Sequence, residues 1–118
     1  MPQDEAALLD MMRAAQLAVQ FVGAMGRDSF LKDPKTQSAV LHQLLLLGEA
    51  AKRLSGGFRE DHPEIQWRQI TGMRDVLIHQ YNHVDLDEIW RTVQTSVPRL
   101  ISALEPLVPR ESSSKGDR

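Results

Sequence analysis

The sequence contains no cysteine, which excludes disulfide bonds, thiolate nucleophiles and cysteine-ligated zinc sites. Aromatic residues are also scarce, at 5% of the chain, whereas alanine, leucine, glutamine, glutamate and arginine are abundant. These abundant residues lose little side-chain freedom in a helix, so the composition favours helix over sheet. The length of 118 residues fits one domain.

The chain also lacks long apolar runs and an excess of basic residues. The apolar run at residues 44–47 is far too short to cross a bilayer. Asp4 and Glu5 stand where a secretory leader would need positive charge. We therefore expect a cytoplasmic protein with no membrane contact. The net charge of -2 argues against a dedicated DNA-binding protein, but it allows an enzyme that contacts nucleic acid in a local positive cleft.

Apolar residues recur at helical spacing in four segments of the chain. These segments cover approximately residues 4–25, 35–54, 67–79 and 86–105. Asp33 and Pro34 form a start signal for the second helix, and Asp85 caps the fourth. Gly48 lies in the middle of the second helix, where its missing side chain would let another helix approach closely. Pro98 lies inside the fourth helix and should kink it or open it locally.

The segments between these helices predict short connections, with a turn at residues 26–29 and an irregular linker at residues 58–66. Four or five antiparallel helices joined by short loops form a bundle. We therefore predict an all-α, antiparallel four-to-five-helix bundle in one domain at residues 1–109. The charged, serine-rich segment at residues 110–118 contains no apolar residue and is predicted to be a disordered tail.

The strongest candidates for chemistry are Arg74, Asp75, His79 and Tyr81, which lie close together at the end of an otherwise apolar helix. The sequence has no glycine-rich phosphate loop, zinc-protease motif, calcium loop or nucleophile elbow. His79 and His83 are four residues apart, as metal ligands on one helix face often are, but no third ligand is suitably spaced. We therefore predict no metal site and no cofactor.

The angular positions of these side chains limit how they can cooperate. Asp75 and His79 lie about 40° apart around a helix, so Asp75 can orient the imidazole and favour its cation. Arg74 and His79 lie about 140° apart, so one straight helix cannot bring them together on one small group. They converge if the helix unwinds after Ile78, or if two chains place their copies across a shared cleft. The second arrangement predicts a homodimer with the site on its two-fold axis.

A purely structural interpretation of the same residues remains open at this point. Arg74 would then pair with Glu88 or Asp85, and His79 would cap the end of its helix. Tyr81 would close the core and leave its hydroxyl at the surface. Clusters of titratable groups indicate a functional site only in a statistical sense.

The order of Arg74, His79 and Tyr81 resembles the signature of HEPN domains, which is Arg, four residues, His, one residue and Tyr. The resemblance is specifically to HepT-like toxins encoded beside MNT nucleotidyltransferase antitoxins. Asp75 is a small departure, because the family often has asparagine after the arginine. The flanking sequence is also similar to the family, in segments 35–40, 47–55, 63–70, 72–81 and 84–87.

This resemblance implies a helical bundle that dimerises, with the two motifs facing a common cleft. It implies that the protein is the toxin of a toxin–antitoxin system and a metal-independent RNA endonuclease. Arg74 and His79 would be the catalytic residues, and Asp75 would support them. It also implies that an MNT-type nucleotidyltransferase antitoxin attaches AMP to Tyr81 and thereby inactivates the toxin. The alternative is a non-enzymatic module that binds a nucleotide or docks the nucleotidyltransferase.

The residue chemistry is compatible with RNA cleavage, because RNA supplies its own nucleophile in the 2′-hydroxyl group. An imidazole changes charge near neutral pH and can therefore move the proton. A guanidinium binds phosphate oxygens with its planar fork. Four basic residues are candidates for the positive field that such a cleft needs: Lys52, Arg53, Arg68 and Arg91.

Overall fold

A computed structural model describes residues 2–109 as an all-helical protein, which confirms the predicted fold class. The helices of this part of the chain are α1 (Pro2–Val22), α2 (Arg27–Leu31), α3 (Pro34–Arg53), α4 (Gly56–Asp61), α5 (Trp67–His79), α6 (Leu86–Arg91) and α7 (Val97–Leu104). A 3₁₀ turn at Tyr81–His83 follows α5, and a π-helical segment at Thr92–Ser96 joins α6 to α7. None of these helices combines the length and hydropathy that crossing a membrane requires. The predicted tail at 110–118 lies outside the described residues.

Local side-chain and backbone chemistry sets the ends of the long helices. Asp33 caps α3 by accepting a hydrogen bond from the Thr36 amide at 3.3 Å, and Pro34 occupies the first turn as predicted. Gly23 ends α1 with a φ angle of +56°, a left-handed conformation that glycine adopts without steric cost.

Two connections that the sequence predicts as a turn and an irregular linker contain short helices instead. α2 has five residues and is anchored by Phe30, which is completely buried. α4 has six residues and begins at a cap in which Ser55 Oγ accepts the Phe58 amide at 3.1 Å. Helices of this length are too short to show an apolar period, so sequence periodicity does not detect them.

The centre of the core lies between α1 and α3. These helices run antiparallel, because residues at the start of α1 bind residues at the end of α3: Asp10 pairs with Arg53 at 2.5 Å, and Asp4 accepts the Ser55 amide at 2.8 Å. Small side chains allow the two helices to approach closely. The buried residues of this layer include Ala7, Met11, Ala14, Ala15, Ala18, Leu44, Leu47, Ala50 and Ala51.

The other two long elements, α5 and the continuous helix formed by α6 and α7, leave a groove between them. α5 packs on α3, whereas α7 packs on α1. A cavity of about 620 Å³ separates α5 from the α6–α7 helix and is lined by residues such as Met73 on α5 and Leu100 on α7. Leu77 is the buried residue of α5, so most of this helix remains accessible.

The helix that contains Pro98 opens locally, as the sequence predicts. Proline has no amide hydrogen, and its ring would collide with the carbonyl group four residues earlier in a regular α-helix. Immediately before Pro98 the amide of Val97 binds the Thr92 carbonyl group, five residues back. The π-helical segment therefore relieves the collision while the helix continues through α7.

Candidate active site

Arg74 lies at a close contact between α3 and α5, opposite Gly48. A Cβ atom at position 48 would lie 2.2 Å from Arg74 Cβ and 2.9 Å from Arg74 Cγ, which is far inside van der Waals contact. Glycine at position 48 therefore lets α5 approach this closely, and the predicted close contact at Gly48 is confirmed. The aliphatic stem of Arg74 is fixed against the backbone of α3 as a result.

The guanidinium group of Arg74 is bound by two carboxylates. Glu49 Oε2 accepts hydrogen bonds from Nε at 3.0 Å and from Nη2 at 2.8 Å. Asp75 Oδ1 accepts from Nη1 at 3.0 Å. These two carboxylates, with Glu49 contributing most, raise the pKa of Arg74, which therefore stays charged at every working pH. The Arg74 side chain is 23% exposed, so one edge of it still reaches solvent.

Asp75 binds cations rather than the imidazole of His79. Its Oδ1 atom accepts from Arg74 and from Lys52 Nζ, the latter at 3.2 Å. Arg74 first and Lys52 second lower the pKa of this carboxyl group, which is therefore ionised at neutral pH. Within residues 2–109 no hydrogen bond joins Asp75 to His79, so the expected orientation of the imidazole by Asp75 is not observed in one protomer. Two charged donors lie within reach of Asp75, and they occupy it instead.

His79 is the last residue of α5 and is exposed. The helix remains regular up to this residue and does not unwind after Ile78. The prediction that unwinding at this point brings Arg74 and His79 together is therefore wrong for this structure. Arg74 and His79 consequently keep an angular separation of about 140° around the axis of α5. One protomer presents the two side chains on different sides of the helix.

Tyr81 lies in the 3₁₀ turn that follows α5 and is 43% exposed. It does not close the core, in contrast to the structural interpretation. Val76 and Ile78, on the preceding turn of helix, are 49% and 43% exposed. The end of α5 therefore presents a tyrosine and two aliphatic residues at the surface beside His79.

The remaining contacts of the structural interpretation are not formed either. Glu88 pairs with Arg91 at 2.8 Å, and Asp85 caps α6 by accepting the amides of Asp87 and Glu88. Neither contacts Arg74 in the part of the chain that the structure describes. The partner of Arg74 on the neighbouring helix is Glu49, which the sequence interpretation did not identify.

A signal for Glu49 was present in the sequence. Gly48 marks the position where another helix comes closest, and the adjacent residue in α3 is acidic. An acidic residue beside a close helix contact is a natural partner for a basic residue on the second helix. Periodicity alone does not say which helix makes that contact, so the pairing with Arg74 needed the structure.

No cluster of three or more histidine, cysteine, aspartate or glutamate side chains suited to a metal ion occurs in residues 2–109. His83, four residues after His79, lines the groove between α5 and the α6–α7 helix.

Comparison with known proteins gives a consistent result. A family model described as "Ribonuclease HepT-like" matches residues 11–107. A probable ribonuclease HepT of Thermococcus cleftensis is 41% identical over 100 residues, which cover 85% of this chain and 91% of that protein. A candidate RNase of Methanocaldococcus jannaschii is 36% identical over 101 residues, covering 86% of this chain and 84% of its own length.

A candidate RNase of Caldanaerobacter subterraneus is 33% identical over 100 residues, covering 85% of this chain and 89% of its own length. No solved structure matches the chain. These matches confirm the family resemblance that the sequence pattern predicts.

Proposed function

The chain belongs to the HepT-like ribonuclease family and is an RNA endonuclease, and from that premise we propose that Arg74 and His79 cleave RNA in a cleft between two copies of this chain. The observation that carries this proposal is the geometry of α5. Arg74 is held at one side of a straight helix and His79 is exposed at its end. A second copy facing the first would bring one Arg74 opposite the other chain's His79.

The surface around the motif supports a homodimer. Six large apolar side chains are exposed within residues 2–109, and three of them lie at the end of α5: Val76, Ile78 and Tyr81. Exposed apolar groups that are neighbours in one segment, rather than scattered, are typical of protein interfaces. Val76 and Ile78 lie about 160° apart around α5. A two-fold interface that wraps around the end of this helix would cover them and would place both motifs in one cleft.

The chemistry of the proposed reaction needs a proton acceptor, a cation and a proton donor. The imidazole of one His79 takes the proton of the RNA 2′-hydroxyl, whose oxygen attacks the adjacent phosphorus atom. Arg74 stabilises the negative charge that develops on the phosphate oxygens. The 5′-oxygen leaves with a proton, for which the second copy of His79 is the available donor. The products are a 2′,3′-cyclic phosphate and a 5′-hydroxyl, and no metal is required.

We further propose that the protein is the toxin of a toxin–antitoxin pair, and that an MNT-type nucleotidyltransferase inactivates it by attaching AMP to Tyr81. The tyrosine oxygen would attack the α-phosphorus of ATP and release pyrophosphate. The exposure of Tyr81 supports this role, because a second enzyme can reach it. The added phosphate would bring negative charge to the place where RNA must enter, so binding would weaken by repulsion and by blockage.

Cleavage of a single-stranded RNA tests the mechanism. The protein should cleave the RNA and should not cleave the same sequence in which hydrogen replaces every 2′-hydroxyl. His79→Ala should reduce kcat by about 10²- to 10⁴-fold, and a chelator should have no effect. His42→Ala, which removes an exposed histidine from α3, is the matched control. Equal cleavage of both substrates, or full activity of His79→Ala, would contradict the proposal.

Mass spectrometry tests the modification. Incubation with a partner nucleotidyltransferase and ATP should add AMP to the wild-type protein and not to Tyr81→Phe. Tyr81→Phe should still cleave RNA, because the tyrosine is proposed to be the switch and not a catalytic group. Modification of wild type at a different residue, or loss of RNA cleavage in Tyr81→Phe, would refute this assignment. Modification of Tyr81 in a protein with no RNA cleavage would instead favour the non-enzymatic alternative.

A further inference from the structure

Glu49 contacts Arg74 in a way that differs from an ordinary surface ion pair. One oxygen, Glu49 Oε2, accepts from both Nε and Nη2 of the guanidinium group. The two residues are on different helices, and those helices are in contact at the adjacent Gly48. The Arg74 stem is therefore fixed by packing, and Glu49 fixes the rotation of the planar group at its end.

The donors of Arg74 can be counted. A guanidinium group has five N–H bonds. Glu49 takes the Nε hydrogen and one Nη2 hydrogen, and Asp75 takes one Nη1 hydrogen. One N–H remains on each terminal nitrogen. These two N–H groups are the donors left to bind phosphate oxygens.

The charges around Arg74 are balanced. Glu49 and Asp75 supply two negative charges, and Arg74 and Lys52 supply two positive charges. Glu49 therefore has two opposing effects on an incoming phosphate. It holds the guanidinium group in a fixed orientation, and its own negative charge weakens the attraction of the site for the phosphate.

We propose that Glu49 is the positioning residue of Arg74: it directs the two remaining N–H donors toward the RNA phosphate and lowers the affinity of the site in return for that orientation. This inference rests on the proposed function, in which Arg74 binds the reacting phosphate. Glu49 does not itself contact the RNA in this proposal.

The two effects of Glu49 separate in steady-state kinetics. Glu49→Gln keeps the size of the side chain and an oxygen acceptor but removes the charge. We expect KM for a single-stranded RNA to fall by about 3-fold at low salt, since the site gains one unit of positive charge. We expect kcat to fall by about 10-fold, because the guanidinium group is held less firmly. Glu49→Ala, which removes the acceptor, should lower kcat by about 100-fold.

Salt dependence gives a second kinetic readout. The logarithm of kcat/KM should fall more steeply with the logarithm of salt concentration in Glu49→Gln, by a slope of up to about 0.7, because one more cation is free to neutralise a phosphate. A residue that only stabilises the fold would leave KM, kcat and the salt slope of the folded protein unchanged.

The matched control is Asp87→Asn. Asp87 accepts from Arg27 Nε at 2.7 Å and joins α2 to α6, and its side chain is 39% exposed, against 41% for Glu49. The two carboxylates are similar in exposure, but the hydrogen bonds of Asp87 do not involve Arg74. Asp87→Asn should have the KM, kcat and salt slope of the wild-type protein.

A spectroscopic readout does not depend on activity. In protein with ¹⁵N-labelled arginine, the Nε–H of Arg74 should give a resolved signal that exchanges slowly with water, since Glu49 binds it. The signal is assigned by its disappearance in Arg74→Lys. Glu49→Ala should broaden it or speed its exchange, and Asp87→Asn should leave it unchanged.

The outcomes separate this inference from the proposed function. If Arg74→Ala keeps full activity, the proposed function fails, and the positioning role fails with it. If Arg74→Ala is inactive while Glu49→Gln and Glu49→Ala match wild type in kcat, KM and Arg74 exchange, only the positioning role is overturned. Lower KM with lower kcat in Glu49→Gln, with Asp87→Asn unchanged, is the result that supports it.

Discussion

The two sides of α3 differ in how completely they are packed. On one side α3 meets α1 in a layer of small and aliphatic side chains, and we call α1 and α3 together the closed half. On the other side α3 meets α5, which buries Leu77 and leaves Val76 and Ile78 exposed. We call α5 and the groove beside it the open half. The buried core and the candidate site thus lie in different parts of a small protein.

A helix with few fully buried residues can still hold one side chain in a fixed position. Leu77 is the one fully buried residue of α5, but the stem of Arg74 lies directly against the backbone of α3 at Gly48. The candidate site therefore takes its rigidity from the closed half. Val76, Ile78 and Tyr81 remain exposed near it.

The largest loss of stability is expected from a change inside the closed half. Met11 is completely buried, and Met11→Ala should lower the free energy of unfolding by about 2–5 kcal/mol through lost contacts and a residual cavity. Chemical denaturation measures this effect. Leu9→Ala, at a position 36% exposed on the same helix, is the control and should cost much less. Equal losses would mean that burial between α1 and α3 is not the source of stability.

The second-largest effect is expected from a substitution at the contact between the closed half and the open half. Gly48→Ala places a methyl group 2.2 Å from Arg74 Cβ and forces α3 and α5 apart. Overpacking of this kind costs about 1–3 kcal/mol. The displacement of Arg74 should in addition lower kcat by about 100-fold even where the protein is fully folded. Wild-type kcat in folded Gly48→Ala would show that the halves are not coupled at this point.

A smaller loss of stability is expected from a change to the hydrogen bonds that join the start of α1 to the end of α3. Asp4 accepts hydrogen bonds from the Ser55 amide and from Ser55 Oγ, both at 2.8 Å. The hydrogen bond from the amide is the main cause of the lowered pKa of Asp4. Because the ionised form is favoured in the folded state, its stabilising effect is present above pH 4–5 and is lost as pH falls through the lowered pKa. Asp4→Asn should therefore lower Tm by a few degrees at pH 7.

The pH dependence checks the origin of that effect. The difference in Tm between wild type and Asp4→Asn should shrink as pH falls below about 4, near the unperturbed pKa of an aspartate. Asp10→Asn, which loses only an exposed ion pair with Arg53, should cause a smaller change at pH 7. A difference in Tm that is constant from pH 7 to pH 3 would exclude titration of Asp4 as its source.

The smallest effect on the isolated protomer is expected from the open half. Val76→Ser combined with Ile78→Ser should change the free energy of unfolding of the monomer by no more than about 0.5 kcal/mol per residue, since both are exposed. The same change should weaken the proposed dimer, which sedimentation over a range of protein concentrations would measure. Phe21→Ser, at a position 40% exposed on α1, should leave association unchanged. An unaltered dimer in the double variant would place the interface elsewhere.

The long helices and their caps could be predicted from the sequence because they depend on local signals. The Asp33–Pro34 start, the close approach at Gly48 and the opening near Pro98 were all readable from residue type and position. The short helices α2 and α4 were not, since neither is long enough to show a period. The predicted homodimer is not tested by a single protomer and stays a prediction.

The location of the candidate site could be predicted from the sequence, but the hydrogen bonds within it could not. The segment that carries Arg74, His79 and Tyr81 could be singled out from composition and spacing, and its role as a site stays a prediction. The hydrogen bonds could not, because Asp75 has several partners within reach. Sequence spacing favours His79, four residues away, whereas the fold brings Lys52 from another helix. Glu49 is 25 residues from Arg74, and Gly48 beside it marks a close helix contact without indicating which helix makes that contact.

The π-helical segment at Thr92–Ser96 has a further consequence for how the fourth long helix keeps its register. Ile89, Val93 and Val97 are all buried and are spaced four residues apart. In an uninterrupted α-helix, two steps of four residues would rotate the last side chain about 80° away from the first. The π-helical turn contains one extra residue and thereby compensates for this rotation, so the buried side chains stay on one face of the helix. A relative without that residue and without the proline could bury the same face with a plain α-helix.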